Sequence, residues 1–373
     1  MDFSPTEAQH DLADLTRGIV SNLVTNERLR ELDATEDRID RRLWSALASS
    51  DVLSAALPES AGGAGFGVLE QCSILIELGR AVAPVPYLSS IVMAAGAVAE
   101  FGNAEQRAEW AFPAATGGRM LTVALDEELN DDPGAPVTSA RPGPDGWTLD
   151  GTKIVVDAAP SADLFLVPAA TPDGVAVFLV RPDDPGVAVT RQQTVDFAST
   201  GEVQLHGVVL PEDRILGSAD QGAEIVHWLV ERGSLGACAY QYGVLDEALI
   251  RTAAYARERV QFGRPIGSFQ AVAQRLADGY IDVKGVRLTL WQAAWRLSEG
   301  LPAEGDVQTA KFWASDAGHR VAHTLVHIHG GVGLDEDHPV HRYFLAAKAL
   351  EFRFGSATRQ LRLLGSELAI VPA

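Results

Sequence analysis

Residues 259–270 read Arg259-Val260-Gln261-Phe262-Gly263-Arg264-Pro265-Ile266-Gly267-Ser268-Phe269-Gln270, and about two predicted helices later residues 327–333 read His327-Ile328-His329-Gly330-Gly331-Val332-Gly333. Arg259 carries a planar fork of donors that suits a phosphate or carboxylate. Gly330 and Gly331 lack a Cβ, so their backbone amides can approach an anion closely. The alternative interpretation is a surface arginine and a glycine pair that only ends a helix.

The composition indicates a globular protein with an acidic surface. Of the 373 residues, 47% are hydrophobic and 21% are charged, and the formal net charge is −20. The chain is long enough for two or three domains with a large core. Its strong negative charge disfavours a nucleic-acid or anionic-membrane partner.

The cysteines and the hydropathy pattern point to an intracellular protein. Cys72 and Cys238 are the two cysteines and form no CxxC pair, which favours buried thiols in a reducing compartment. Residues 1–5 contain no basic segment that leads into an apolar run, and no stretch approaches 18 uninterrupted apolar residues. We therefore expect a soluble cytoplasmic protein.

Residue patterns divide the chain into three predicted domains. Residues 1–118 show helical periodicity, Ser4 and Glu7 suggest a capping box for the first helix, and a further helix is predicted from about Tyr87 to Glu100. Between about residues 119 and 217, Pro/Gly/Asp turn clusters separate short runs rich in Val, Leu and Phe, a pattern typical of a small antiparallel barrel or sandwich. The predicted strands are these runs, at residues 148–150, 154–156, 164–167, 175–180, 187–189 and 203–210.

From residue 218 to residue 373 the helical period returns. Four long segments are predicted there, at roughly Ala223–Glu258, Phe269–Glu299, Asp306–His329 and Pro339–Leu364, the last interrupted near Gly355. Helices of this length predict a four-helix bundle with surface left for an interface. The predicted fold class is α+β: an N-terminal helical domain, a middle antiparallel β-barrel or sandwich and a C-terminal bundle.

The two opening stretches resemble the RxxFGxxIxxFQ and QxxGGxG motifs of acyl-CoA dehydrogenases, and the resemblance extends over nearly the whole chain. It implies the same three-domain architecture and FAD-dependent α,β-dehydrogenation of an acyl-CoA thioester, with electron-transfer flavoprotein as the electron acceptor. In the family these motifs hold the adenosine-diphosphate end of an FAD that sits mainly in a neighbouring subunit. The implied cofactor-binding residues are Arg259, Phe262, Gln270, His327, Gly330 and Gly331, with His327 in place of the family's glutamine.

The resemblance also implies two places for the catalytic carboxylate. The first is the glutamate of a Y-E-G-T-like sequence before the last helix, where this chain has Arg353-Phe354-Gly355-Ser356. The second is a glutamate directly before an arginine in the first bundle helix, where this chain has Glu231 and Arg232. Glu231 is therefore the candidate base and Arg232 a supporting residue; the alternative is a pair of exposed charges on a helix.

The positions that face the flavin ring in the family differ here. The family's T-E-P-x-A-G-S-D stretch corresponds to Leu125–Asn130, and its W-I-T-N stretch corresponds to Val155–Ala158. Gly151 and Lys153 of the preceding L-x-G-x-K hairpin are kept. Asp157 stands at the threonine position, where a carboxylate would oppose the negative charge that flavin reduction builds.

A metal site is the weaker interpretation of the histidines near the second motif. His323 and His327 are one helical turn apart, and His329 follows them. No carboxylate or cysteine completes a ligand set, so we predict no metal.

Two hypotheses follow. The chain is either a self-sufficient homotetrameric dehydrogenase with Glu231 as base, or a partner subunit whose own flavin pocket is eroded and which completes the FAD site of a second acyl-CoA dehydrogenase chain. The retained motifs favour the second, as an α2β2 enzyme. Such enzymes are similar to the actinobacterial acyl-CoA dehydrogenases of steroid and cholesterol side-chain degradation, which implies a bulky acyl-CoA substrate.

Overall fold

The structure is a computed structural model that describes residues 4–370. Residues 1–3, used above for the cytoplasmic prediction, and the last three residues of the predicted bundle domain lie outside this range. The amino-terminal third is helical, as predicted, with α1 Glu7–Leu23, α2 Asn26–Asp33, α3 Arg41–Ser49, α4 Val68–Arg80, α5 Gly96–Phe101, α6 Ala104–Gln106 and α7 Phe112–Ala115.

The strands of the middle region are β1 Leu121–Val123, β2 Ser139–Gly143, β3 Gly146–Asp157, β4 Leu164–Thr171, β5 Gly174–Val180, β6 Val187–Gln192 and β7 Thr200–Leu210. The carboxy-terminal region contains α8 Gly222–Glu258, β8 Val260–Gln261, β9 Arg264–Pro265, α9 Gln270–Ser298, α10 Glu304–His329, α11 Val340–Phe352 and α12 Ala357–Ile370. The predicted break near Gly355 separates α11 from α12.

The chain folds into two compact units that do not follow sequence order. The bundle unit combines the chain up to Arg30, residues Val68–Ala83 and the chain from Ser234 onward. The sheet unit combines Glu31–Gly67 with Pro84–Gly233. The boundary falls inside α8.

The sheet unit is built on a seven-stranded sheet in the order β1-β4-β2-β3-β7-β6, with β5 paired to β4. Most pairings are antiparallel, as predicted, but β1–β4 and β2–β4 are parallel. The predicted runs 148–150 and 154–156 belong to one strand, β3, whose register against β7 shifts between Lys153 and Val156. This bulge leaves Val155 outside the ladder, at φ 51°.

Two local predictions differ from the structure. The first helix is capped by Thr6, whose hydroxyl accepts the Gln9 amide while the Gln9 side chain accepts the Thr6 amide, so the predicted Ser4–Glu7 box is wrong by two residues. The predicted helix at Tyr87–Glu100 is a π-helix over Tyr87–Ala95 followed by α5. Its widened turns are fully buried.

In the bundle unit α4 and α8 cross at reciprocal glycines. A Cβ at Gly79 would lie 2.1 Å from the carbonyl oxygen of Tyr240, and one at Gly243 would lie 2.0 Å from that of Ile76. The two backbones can approach this closely only because both positions lack a side chain.

Glu127 and Lys153 form an ion pair inside the sheet unit. Lys153 Nζ lies 2.8 Å from Glu127 Oε1, and both side chains are buried. The carboxylate also accepts the amides of Val137 at 2.5 Å and Thr138 at 2.8 Å. Burial alone would raise the pKa of Glu127, but the hydrogen bonds from Lys153 and its other donors outweigh burial and lower the pKa from 4.5 to about 2.

Acid is therefore expected to destabilise the sheet unit through Glu127. Because its folded pKa lies below the unfolded value, Glu127 contributes stability that is complete above pH 4.5 and is lost as the pH falls towards 2. Glu127→Gln should lower the free energy of unfolding at neutral pH by about 3–5 kcal/mol, because it leaves the buried Lys153 ammonium without its partner charge, and should flatten the acid dependence. Urea unfolding from neutral to strongly acidic pH measures this, with the exposed neighbour in Glu128→Gln as control. Equal acid dependence in both variants would contradict the prediction.

Candidate cofactor-binding and catalytic residues

The carboxy-terminal ends of α8 and α10 present the residues of the two sequence motifs. After α8 the chain makes the short β8–β9 hairpin, turning through Phe262 at φ 53° and Gly263 at φ 79°. The side chains of Arg259 and Gln270 are exposed, and Phe262 is 92% exposed. An aromatic ring exposed to this extent is costly in water and suits a surface that receives a ligand.

The glycine turn after α10 is open to an approaching ligand. Gly330 has φ 62°, and a Cβ built at Gly330 or Gly331 would meet nothing within 4 Å. Gly333, by contrast, packs against Val326 Cα, 3.0 Å from its would-be Cβ. The first two glycines therefore leave the turn open, while the third serves packing, and the Gly330 amide itself donates to the carbonyl oxygen of Val326.

A ring stack that the sequence analysis missed joins these two ends. His329, on α10, stacks on Tyr255, on α8, with ring centroids 4.3 Å apart. His329 Nδ1 lies 2.8 Å from the carbonyl oxygen of Leu325, and burial lowers the pKa of this histidine. Tyr255 stands one helical turn before Arg259, so the stack brings the hairpin and the glycine turn to one end of the bundle unit. No sequence motif marks Tyr255.

These exposed residues form what we call the lent face: Arg259, Phe262, Gln270, His327, Gly330 and Gly331. His327 is exposed on the last turn of α10. The lent face combines a guanidinium, an exposed ring and an open glycine turn, groups whose chemistry suits phosphates and an aromatic base.

The three histidines considered for a metal have separate surroundings. His323 contacts the rings of His319 and Phe344, while His329 stacks on Tyr255. Over residues 4–370 no group of three or more His, Cys, Asp or Glu side chains is placed to hold a metal ion.

Glu231 and Arg232 lie together near the start of α8, within the sheet unit. Arg232 Nη1 is 3.4 Å from Glu231 Oε2. The Glu231 side chain is 14% exposed and the Arg232 side chain is 18% exposed. The Arg232 guanidinium lies 4.8 Å above the ring of Trp228, which in turn packs edge-on against Phe101. The pair is thus largely buried rather than two exposed charges.

The other position for a carboxylate is an aromatic turn. Phe354 adopts φ 57° between α11 and α12, and its carbonyl oxygen accepts the side-chain amide of Gln360 at 2.8 Å. The Arg353 guanidinium lies 5.6 Å from the Phe354 ring. This turn supplies no carboxylate.

The end of β3 carries Val155 and Asp157 where the resemblance implies a tryptophan and a threonine. Asp157 accepts a hydrogen bond from Ser89 Oγ at 2.5 Å, so the nearest hydroxyl is directed to a carboxylate. Val155, at the family's tryptophan position, presents an isopropyl group, and its amide donates to Gln192 Oε1 at 2.7 Å. A carboxylate and a small aliphatic group offer neither stacking nor a hydrogen-bond donor to a ring that gains negative charge on reduction.

The acidic residues before β2 carry less uncompensated negative charge than their sequence indicates. Glu127 turns inward to Lys153, so its charge is neutralised. Asp126 and Glu128 remain exposed. The difference from the family's flavin-facing residues therefore lies mainly in Asp157 and Val155.

Known proteins share this architecture over the whole chain. Residues 6–118, 127–208 and 220–369 match the acyl-CoA dehydrogenase N-terminal, middle and C-terminal domains. The chain is 54% identical to acyl-CoA dehydrogenase FadE27 of Mycobacterium tuberculosis over 381 aligned residues, which cover 100% of both proteins.

Solved structures agree. A chain of the ChsE4-ChsE5 complex from Mycobacterium tuberculosis superposes with a TM-score of 0.95 at 55% identity, covering 100% of both chains. The Tcur3481-Tcur3483 steroid ACAD gives a TM-score of 0.91 at 42% identity, covering 98% of each chain. Within residues 4–370 no helix is long and apolar enough to cross a membrane. The chain belongs to the acyl-CoA dehydrogenase family.

Proposed function

We propose that this chain is one subunit of a heteromeric, FAD-dependent acyl-CoA dehydrogenase, an α2β2 assembly in which it completes the FAD site of a second acyl-CoA dehydrogenase chain. The observation that carries the proposal is a contrast between two sets of residues. The lent face is intact and exposed, whereas the end of β3 holds Val155 and Asp157 where the flavin ring would need an aromatic ring and a hydroxyl. A general loss of function would be expected to change the residues of both sets.

Each residue of the lent face has a role that its geometry allows. Arg259 binds the pyrophosphate of the partner's FAD through its fork, and the open turn at Gly330 and Gly331 lets phosphate oxygens come close to the backbone. Phe262 packs on the adenine or ribose, Gln270 hydrogen-bonds a sugar or phosphate oxygen, and His327 replaces the family glutamine beside them. In this family, FAD supplies the hydride acceptor for the α,β-dehydrogenation of an acyl-CoA thioester.

The substrate is proposed to be the acyl-CoA of a steroid side chain, as in cholesterol breakdown, and the electron acceptor an electron-transfer flavoprotein. The steroid class is supported by the 42% identity to a steroid ACAD and by the likeness to one chain of a two-protein complex. Turnover of the assembled complex with straight-chain acyl-CoAs but not with steroid acyl-CoAs would refute this substrate class. We also propose that the domains meet near residues 118 and 217 and that the protein is cytoplasmic.

The second candidate function is a self-sufficient homotetramer in which Glu231 is the base. The burial of the Glu231–Arg232 pair favours it, since a pair without function would more often be exposed. In a heteromer whose partner chain carries its own base, by contrast, Glu231 has no catalytic role.

Flavin content distinguishes the two functions. The chain purified alone should carry little or no FAD, and co-expression with its partner chain should give about one FAD per heterodimer. Absorbance of the released flavin against protein concentration measures this ratio, and size-exclusion chromatography with light scattering gives the assembly. A stable tetramer of this chain alone with near one FAD per chain would overturn the heteromer.

Turnover of a Glu231→Gln variant provides the second test. In the heteromer this substitution should leave the kcat of the complex unchanged, because the proton is removed by the partner's carboxylate. In the homotetramer it should lower kcat by two to four orders of magnitude, about the usual contribution of a general base. Glutamine has the same shape as glutamate and can keep the contact with Arg232. A loss of activity would therefore result from the missing negative charge rather than from misfolding.

A further inference from the structure

The ring stack between Tyr255 and His329 has a defined distance and orientation. The ring centroids lie 4.3 Å apart and the ring planes meet at 24°. The other ring pairs within residues 4–370 meet edge-on or at a larger tilt. Because two ring faces rather than an edge are in contact, the stack limits both the separation of the two side chains and their relative rotation.

Each ring is joined to a lent-face residue over one helical turn or less. On α8, the carbonyl oxygen of Tyr255 accepts the amide of Arg259 at 2.9 Å. On α10, His329 is the last helical residue and is directly followed by Gly330. A movement of one ring relative to the other would therefore move Arg259 relative to the glycine turn.

His329 is held in one orientation within the bundle unit. It is 4% exposed, and its Nδ1 lies 2.8 Å from the carbonyl oxygen of Leu325. Because a carbonyl oxygen only accepts, we assign the proton of this contact to Nδ1. Burial lowers the pKa of His329 below 6.5, so the ring is neutral at pH 7 and acts by its position rather than by its charge.

The two parts of the lent face are also ordered on their own side of the stack. A Cβ at Gly333 would lie 3.3 Å from the Cβ of His329, so the glycine turn packs back against His329. In the hairpin, the Ile266 amide donates to the carbonyl oxygen of Arg259 at 2.8 Å. The stack thus joins two segments that each have a defined shape.

We propose that Tyr255 and His329 are positioning residues for cofactor binding: their stack holds Arg259 and the Gly330–Gly331 turn at the separation at which both reach the same pyrophosphate. The inference rests on the proposed function, because it requires that the lent face binds the partner's FAD. Groups that are already held in their binding geometry lose little conformational freedom when a ligand arrives. The stack therefore contributes to FAD affinity through Arg259 and the glycine turn.

Fluorescence titration of the flavin-stripped complex with FAD measures the effect of each ring. Tyr255→Leu and His329→Asn each remove one ring and should raise the Kd about three- to tenfold. Tyr255→Phe and His329→Phe keep an aromatic ring and should leave the Kd within about twofold of the parent's. At saturating FAD, the kcat of all four variants should match that of the parent, because the stack acts on affinity and not on the chemical step.

A double-mutant cycle separates positioning from a general effect on stability. Arg259→Gln removes one of the two groups whose separation the stack sets. Adding Tyr255→Leu to Arg259→Gln should therefore raise the Kd less than about twofold further. A purely structural role of Tyr255 would give the same increase in both backgrounds, and such additivity would overturn the inference.

Phe344→Leu is the matched control, because it removes another ring contact to α10, the edge-on contact with His323 at 5.6 Å. Its FAD Kd should equal the parent's. An unchanged Kd in Tyr255→Leu and His329→Asn beside a raised Kd in Arg259→Gln, or an equal rise in Phe344→Leu, would refute the positioning role alone. An unchanged Kd in Arg259→Gln would refute the proposed function and this inference together. Tyr255 and Phe344 are half-buried, so their variants are expected to fold.

Discussion

Replacement of Lys311 by glutamate should abolish soluble folding of the chain. Lys311 is 1% exposed inside the bundle unit, and its Nζ donates to Ser315 Oγ at 2.5 Å and to the carbonyl oxygens of Leu350 and Glu351 at 3.2 and 3.4 Å. Those carbonyls belong to the last turn of α11, where no intrahelical donor is available. Burial lowers the pKa of Lys311 to about 8, so it is still charged at neutral pH.

A glutamate at position 311 would place a buried carboxylate against acceptors only. Such a charge costs about 5 kcal/mol or more, which is comparable to the whole stability of a domain. Lys311→Met should cost less, about 2–4 kcal/mol, because it removes the donor without adding a charge.

Soluble yield and the midpoint of thermal unfolding check this ranking. Lys284→Glu, at a half-buried position on α9 where the ammonium lies 5.1 Å from the Tyr280 ring, is the control and should change stability by about 1 kcal/mol or less. A Lys311→Glu protein that is soluble and melts close to the parent would show that the hydrogen bonds at the end of α11 do not support the fold.

Arg259→Gln in this chain should weaken FAD binding by the assembled enzyme, although most of the cofactor would lie in the other subunit. A charge-assisted, two-pronged contact to a pyrophosphate contributes about 1.5–3 kcal/mol, so the Kd should rise roughly ten- to hundredfold. Glutamine keeps a donor but loses the charge and the fork.

The measurement is a fluorescence titration of flavin-stripped complex with FAD. Arg264→Gln is the matched control: Arg264 lies in the same hairpin, with its guanidinium 4.1 Å over the Phe269 ring, and is outside the lent face. Phe262→Ala should give a smaller loss, because it removes stacking only. Unchanged affinity in Arg259→Gln, with the complex intact, would refute the proposed role of the lent face.

Much of the fold could be predicted because it is encoded locally. The ends of the long helices α8 to α11 lie within a few residues of the predicted ones, whereas α12 continues to Ile370, beyond the predicted end at Leu364. The turn clusters correctly marked the β-region. β1 and β2 were missed, because a three-residue strand and one that reads Ser139-Ala-Arg-Pro-Gly143 have no alternating apolar pattern.

Contacts between distant residues could not be predicted. Ser89 donates to Asp157, 68 residues away, and this pairing depends on how the π-helix approaches β3. The Tyr255–His329 stack joins two helix ends in the same manner. Periodicity shows that a helix has a buried face but not which element covers it, so the assignment of α4 to the unit that contains α9 and α10 also required the structure.

The buried Glu127–Lys153 pair has a consequence for evolution in this family. Losing either member alone leaves a lone charge in the core at about 3–5 kcal/mol, whereas exchanging both for apolar residues together can be nearly neutral. The two positions are thus epistatic. A single substitution at either position destabilises the fold, and this holds even in a lineage that no longer uses its own flavin. A retained L-x-G-x-K hairpin therefore records a constraint on folding and gives no evidence that a chain still binds flavin.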